Sequence, residues 1–218
     1  MVADPWGPME QRPADFFRFG DPKGAEGRES LVSMNEHHRE LSEWALSLLP
    51  SDMSPRNILD VGCGGGMQLL MMGKKYPKAL LHGADPSDEA VRLTSETNAQ
   101  GIESGRCRID KSQVEDLPYP NGSFDLVSAF ETYFFWKDLD AALGEIRRVL
   151  STGGKLVVVS EQYPDPAFDK RNAEYAKRTG MRLVKNEEMI SMMGVHGLNA
   201  EFKTVPEKNW VCFIATKY

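Results

Sequence analysis

The stretch NILDVGCGGGM, residues 57–67, restricts the fold of this chain more than any other. An apolar run of strand length enters a loop with glycines at 62, 64, 65 and 66, and a helix-compatible segment, 67–76, follows. A strand read as a near-continuous apolar run is buried on both faces, which is the habit of parallel sheets. Glycines at that turn allow a tight bend and let a ligand approach bare backbone. In open parallel sheets, ligands lie beyond the carboxyl ends of the strands, near the point where strand order reverses.

The rest of the chain continues the alternation. Strands are expected at 79–85, 106–114, 124–130 and 155–160, and helices at 87–99, with Ser87 as N-cap, and 139–150. Thr152–Gly154 reads as a turn. Further on, 165–179 and 187–193 read as helices, the second capped by Asn186. The segments 201–205 and 210–216 read as two strands joined by PEKN. So short a connection makes that last pair antiparallel, because a parallel pair needs a long crossover. The expected fold is therefore α/β: a doubly wound, mostly parallel sheet ending in an antiparallel hairpin. Residues 1–26 read as an arm carrying Trp6, Phe16, Phe17 and Phe19. Residues 28–49 form an amphipathic helix with Leu31, Met34, Leu41, Ala45 and Leu48 on one stripe, joined by His38. The expected division is an arm and helical lid at 1–50 and one globular domain at 51–218.

At 218 residues the chain can bury one substantial core. No apolar stretch approaches the ~20 residues of a membrane span. The start, MVADPWGPMEQRP, lacks a basic segment followed by an apolar one, so a secretory signal is not expected and the cytoplasm is the expected compartment. A net charge of −6 disfavours nucleic acid as partner, since phosphate binding calls for a basic face. Cys63, Cys107 and Cys212 are odd in number and far apart, without a CxxC pair, so neither a disulfide framework nor a zinc site is expected. They read as small buried residues.

Two cofactors suit a glycine loop of this kind. A dinucleotide fold would place glycine or alanine where Met67 stands. The spacing present is Gly62-x-Gly64-x-Gly66, preceded by Asp60, and an acid ends the next strand at Asp85, 23 residues after Gly62. A carboxylate there can accept both hydroxyls of a ribose. An acid at the loop entrance suits a cationic amino-acid moiety better than a pyrophosphate.

The stretches ILDVGCGGG (58–66), GADPSDEAV (83–91), VEDLPYPNGSFDLVSAFE (114–131) and RRVLSTGGKLVVV (147–159) resemble the class I S-adenosylmethionine (SAM) dependent methyltransferases, which have a Rossmann-like fold. The likeness is to the small-molecule branch that includes the ubiquinone and menaquinone methyltransferases. These stretches span about half the chain in the family's order, and the terminal hairpin resembles the family's antiparallel last strand. The resemblance implies that SAM is the cofactor, S-adenosylhomocysteine the product and a small molecule the methyl acceptor; no metal is expected. It implies that Asp60, Gly62, Gly64 and Gly66 surround the methionine part of SAM, with Cys63 and Pro86 beside the cofactor and Asp85 on its ribose. Gln113 and Val114 match the pair that meets adenine; the family often has Asp where Gln113 stands, and Gln can still accept through its carbonyl. Phe130 and Glu131 match the place where cofactor and substrate meet.

The acceptor side must come from segments over the strand ends. Tyr133, Trp136 and Glu161 are candidate pocket residues, and the run Tyr133–Trp136 either walls a substrate or packs under the N-terminal helix. His38 and Glu131 are the candidate catalytic pair, placed to orient or deprotonate an acceptor. MNEHHRELSEWAL is similar to the N-terminal helix of some bacterial family members, with His38 in register. His37 is expected to face solvent, Glu115 and Asp116 to cap or solvate a turn, and Asp125 to be structural. Competing readings are a SAM-binding module without catalysis, a nicotinamide-dependent oxidoreductase and a macromolecular methyltransferase. A homodimer is compatible with the sequence.

Overall fold

A computed structural model of the chain describes residues 19–218. Most of the N-terminal arm, with Trp6, Phe16 and Phe17, lies outside the described residues. The strands are β1 (Asn57–Val61), β2 (Leu80–Asp85), β3 (Cys107–Lys111), β4 (Phe124–Phe130), β5 (Leu150–Ser160), β6 (Leu198–Val205) and β7 (Trp210–Lys217). The helices are α1 (Gly24–His37), α2 (Arg39–Ser47), α3 (Met67–Lys75), α4 (Asp88–Thr97), α5 (Ala99–Glu103), α6 (Leu139–Val149), α7 (Asp169–Thr179) and α8 (Asn186–Val195).

One sheet runs in the order β3-β2-β1-β4-β5-β7-β6. The first five strands pair in parallel, while β7 pairs antiparallel with both β5 and β6. The chain winds outward from β1 to β3, then returns to start β4 on the other side of β1. That reversal opens a crevice at the carboxyl ends of β1 and β4. The expected terminal hairpin is present. Residues 206–208 make a 3₁₀ turn, and Asn209 closes it in the left-handed region at φ 59°.

Alternation along each strand divides the core between two faces. Leu59, Val61, Val127, Ala129, Leu156 and Val158 pack with Leu143 and Ile146 of α6 and Met189 and Met193 of α8. Ile58, Leu126, Val157, Val159 and Cys212 face the other way, toward Leu69 and Met72 of α3 and Leu41 and Ala45 of α2. The second helix of the N-terminal segment thus shares the core of the sheet. The three cysteines are free and buried, as expected. Asp125 is structural: its Oδ2 accepts the N–H groups of Arg56 (2.8 Å) and Asn57 (3.1 Å) just before β1.

Several expected boundaries move. The single helix over 28–49 is two helices, broken at His38 (φ −84°, ψ 8°). The helix over 87–99 ends at Thr97, with the Ser87 hydroxyl accepting from Ala90 N–H as expected, and the short α5 follows it. The third strand stops at Lys111, which leaves Gln113 and Val114 in a loop. Residues 152–154 belong to β5. Gly153 takes φ +78°, and the register against β4 shifts between Phe124 and Leu126, so the expected turn is an irregularity inside a strand. Asn186 does not cap α8. It is the first helical residue, and Lys185 before it makes no side-chain cap.

Candidate cofactor and acceptor site

The glycine loop is held from below and behind. Gly62 N–H and Cys63 N–H both donate to Ala84 O, at 2.7 and 3.2 Å, tying the loop to β2. Its carbonyls turn toward α4 and α1. Thr94 Oγ1 donates to Gly64 O (2.8 Å), Thr97 Oγ1 and Asn35 Nδ2 to Gly65 O (2.8 and 3.0 Å), and Asn98 Nδ2 to Gly66 O (3.0 Å). Two glycines are required sterically. A Cβ on Gly62, at φ +68°, would lie 2.2 Å from Thr132 Oγ1. On Gly66, at φ +82°, it would lie 2.7 Å from Asn98 Nδ2 and 2.8 Å from Thr94 Cα.

Asp85 ends β2 beside this loop. Its Oδ2 accepts Gly64 N–H at 3.0 Å and its Oδ1 accepts Ser87 N–H at 2.9 Å. Burial pushes the carboxyl above its ordinary range, against the pull of those two donors. Asp60 lies deeper, inside β1, and accepts the Ser128 hydroxyl at 2.6 Å. Burial raises its carboxyl to about 7, opposed by Ser128 and aided by the charge of Asp85.

Above the loop is a cavity of about 430 Å³. Gly62, Cys63, Gly64, Asp85, Pro86, Gln113, Val114 and Phe130 all line it, as do His38, Glu131 and Trp136. Asp60, Gly66, Tyr133 and Glu161 do not. Asp60 sits beneath the loop and Gly66 serves the approach of α4. Tyr133 turns into the core, with its ring against Phe134. The aromatic run therefore divides: Phe135 and Trp136 wall the cavity while Tyr133 and Phe134 pack inward. Glu115 accepts from the N–H groups of Lys137 and Asp138, just before α6. Gln113 Oε1 accepts Lys137 Nζ at 3.0 Å, which leaves one lone pair of that carbonyl for a ligand.

α1 forms the opposite wall through Leu31, Met34 and Asn35. The N-terminal helix is thus on the side of the strands' carboxyl ends. These three residues were not singled out from sequence as cavity residues, although Leu31 and Met34 were on the inward stripe. Lys137 was also missed, its closeness to the expected Trp136 being the available signal; Thr132 and Phe135, which also line the cavity, belong to the stretch after β4 already read as a possible wall.

At the far end of the cavity, β4 and β5 end in acids. Glu131 N–H still bonds to Val159 O at 3.0 Å, and the chain then turns through φ 54°. A non-glycine residue in that region is strained, and such strain gathers at functional sites. Glu131 Oε1 accepts Glu161 N–H in a short hydrogen bond. His38 Nε2 stands 4.0 Å from Glu131 Oε2 and 3.7 Å from Glu161 Oε1, and His37 Nε2 lies 2.8 Å from Glu161 Oε2. His37 is therefore not a solvated helix residue. Neighbours in a continuous helix point about 100° apart; the break at His38 brings both rings to one place, in an edge contact with centroids 4.9 Å apart. Burial, and then the charge of Glu161, push the Glu131 carboxyl well above its usual range. Burial acts the same way on Glu161, but hydrogen bonds and charge from His37 and His38 outweigh it and hold that carboxyl low.

A glycine loop after β1, an acid after β2 and a cavity at the strand reversal form the arrangement that the resemblance to class I SAM-dependent methyltransferases implies, and the chain is similar to known methyltransferases. The family model described as a methyltransferase domain matches residues 59–158. Among curated proteins, the chain is similar to ajmaline N-methyltransferase of Rauvolfia serpentina, 35% identical over 115 residues, 52% of this chain and 39% of that protein. It is also similar to demethylmenaquinone methyltransferase of Thermus thermophilus, 34% identical over 119 residues, 54% of this chain and 52% of that protein. The match thus spans about half or less of these two relatives. Among solved structures, the fold is similar to geranyl diphosphate C-methyltransferase of Streptomyces coelicolor, crystallised with Mg²⁺, geranyl diphosphate and S-adenosylhomocysteine. The TM-score is 0.70 over 95% of this chain and 89% of that one, with 15% identity. Among the described residues, no helix is long and apolar enough to cross a membrane.

Proposed function

We propose that this chain transfers a methyl group from SAM to a small-molecule acceptor held between the glycine loop and α1. One observation carries the reading: the loop backbone, the Asp85 carboxylate, and the His38 and Glu131 side chains all face a single cavity of about 430 Å³. The residues present fit SAM. Asp85 has an acceptor site left on each oxygen for the two ribose hydroxyls. Pro86 and Val114 offer apolar surface for adenine, with Gln113 beside them, and a Cβ added to Gly64 would sit 3.7 Å from Leu31. When bound, SAM supplies a methyl group on a good leaving group, and its transfer is an in-line displacement.

The protein's part is to align the acceptor and exclude water. Leu31, Met34, Phe19, Phe135 and Trp136 supply the apolar cover. Glu131 and His38 lie at the end of the cavity. They orient the acceptor there, and one of them takes its proton when the nucleophile is a hydroxyl or amine. The small-molecule reading rests on the size of this cavity, roughly that of ordinary ligand pockets, and on the acidic net charge. The α1 segment acts as lid in this account, with the homodimer not required.

Titration calorimetry with SAM, S-adenosylhomocysteine and NAD tests the cofactor. Binding of the first two and not the third is expected; NAD binding without SAM binding overturns the reading. A coupled assay for S-adenosylhomocysteine, run with small-molecule extract fractions, tests turnover. Dependence on a fraction, lost in Glu131→Gln and His38→Ala while SAM still binds, is expected. Point variants are preferable to removing residues 1–49, because α2 contributes Leu41, Ala45 and Leu46 to the core.

A further inference from the structure

We propose that His37, His38 and Glu161 form a binding site for one divalent transition-metal ion, with Glu131 beside it. The nearest ligand atoms of the first three side chains all lie within 4.8 Å of one another, a spread that a single ion can span. At metal–ligand distances of about 2.0–2.2 Å, ligand atoms in one shell stand roughly 3–4 Å apart. The separations found are 2.8 Å from His37 Nε2 to Glu161 Oε2, 3.7 Å from His38 Nε2 to Glu161 Oε1, and 4.0 Å from His38 Nε2 to Glu131 Oε2.

A second observation is the space. A void of about 20 Å³ lies where His38, Glu131 and Glu161 meet, walled by Phe134, Tyr175 and Met181. That is room for about one water-sized particle. The apolar walls lower the local dielectric and strengthen any ion–carboxylate attraction.

The local charge also favours a cation. Two largely buried carboxylates meet here, and Arg171 offsets part of their charge while donating to Glu161 O at 3.2 Å. Two imidazoles complete the set. An ammonium or a magnesium ion gains little from imidazole nitrogen, whereas Zn²⁺, Fe²⁺ and Mn²⁺ take mixed nitrogen and oxygen ligands. The ligands come from three rigid places: the broken helix joint and the ends of β4 and β5. Because His38 and Glu131 also line the large cavity, the ion's open positions face the acceptor. With the ion bound, His38 is a ligand and proton acceptance falls to Glu131. The sequence alone led to the expectation of no metal, and it placed His37 in solvent.

The test titrates the metal-free full-length chain with Zn²⁺ alone, against a chromophoric chelator. One equivalent should bind, with affinity falling at least tenfold in Glu161→Gln and in His37→Ala. X-ray absorption of the loaded protein should show nitrogen and oxygen neighbours at about 2.0–2.1 Å, including imidazole. Both variants should keep the S-adenosylhomocysteine affinity of the parent, so failure of this site is distinguishable from failure of the methyl-transfer reading. His37→Ala removes a partly exposed side chain, which leaves a folded variant for comparison. No Zn²⁺ binding, affinity unchanged from the parent in both variants, or sulfur in the absorption spectrum would overturn the proposal.

Discussion

Replacing Asp85 by alanine isolates the ribose contact, and its size follows from the geometry. Each carboxylate oxygen already accepts one backbone N–H, from Gly64 at 3.0 Å and Ser87 at 2.9 Å. An ionised carboxylate has about four acceptor positions, so one on each oxygen is left for a ligand diol. A hydrogen bond to a charged group contributes about 1.5–3 kcal/mol. Loss of one such bond weakens binding about tenfold, and loss of both at the lower value about a hundredfold, at 1.4 kcal/mol per decade. The predicted fall in S-adenosylhomocysteine affinity is therefore between about tenfold and a few hundredfold. The fold should suffer less. The variant loses two fastenings of the loop, but it also removes a buried carboxyl whose charged form burial disfavours. These oppose each other, and the stability change should stay within about 2 kcal/mol. Titration calorimetry with S-adenosylhomocysteine, with denaturant unfolding alongside, reads both quantities. A folded variant that binds within twofold of the parent would show that Asp85 does not hold the ribose.

Three further predictions follow from the same geometry. Asp60 keeps its proton up to about pH 7 in the folded chain, whereas an unfolded chain loses it near 3.8. Between those values the unfolded state binds fewer protons, so this group's contribution to stability falls as pH rises, by about 4 kcal/mol over three units. Asp60→Asn should thus stabilise the protein at pH 8 and far less at pH 4, measured by denaturant unfolding; an equal effect at both would refute it. Gly62→Ala combines a left-handed backbone at φ +68° with a contact of 2.2 Å to Thr132 Oγ1 and should cost about 2–5 kcal/mol. A loss under about 1 kcal/mol would mean the loop can shift to admit the methyl group. Glu131→Gln should lower turnover by about 10²–10⁴ if Glu131 takes the acceptor's proton, with SAM affinity unchanged. Turnover that survives intact would remove Glu131 from that role.

Much of this protein was legible in residue order alone. The alternation of apolar strands and amphipathic helices fixed the parallel sheet, because those periods are local properties of the chain. The tight turn before Trp210 likewise dictated an antiparallel last pair. The glycine spacing and Asp85 located the cofactor side, since a bare backbone beside a carboxylate is written in consecutive residues. Tertiary structure decided what depends on direction in space. Gly66 and Tyr133, read as facing ligands, instead serve the approach of α4 and the core. Asp60 lies under the loop, because alternation along β1 turns it away from the cavity. His37 and His38 share one carboxylate because the helix breaks between them and α2, a break that the apolar stripe across 28–49 conceals. The meeting of these histidines with Glu131 and Glu161 joins residues about 100 and 120 positions apart. Only the folding of α1 over the ends of β4 and β5 brings them together, since periodicity reports which face is buried and not what lies opposite it.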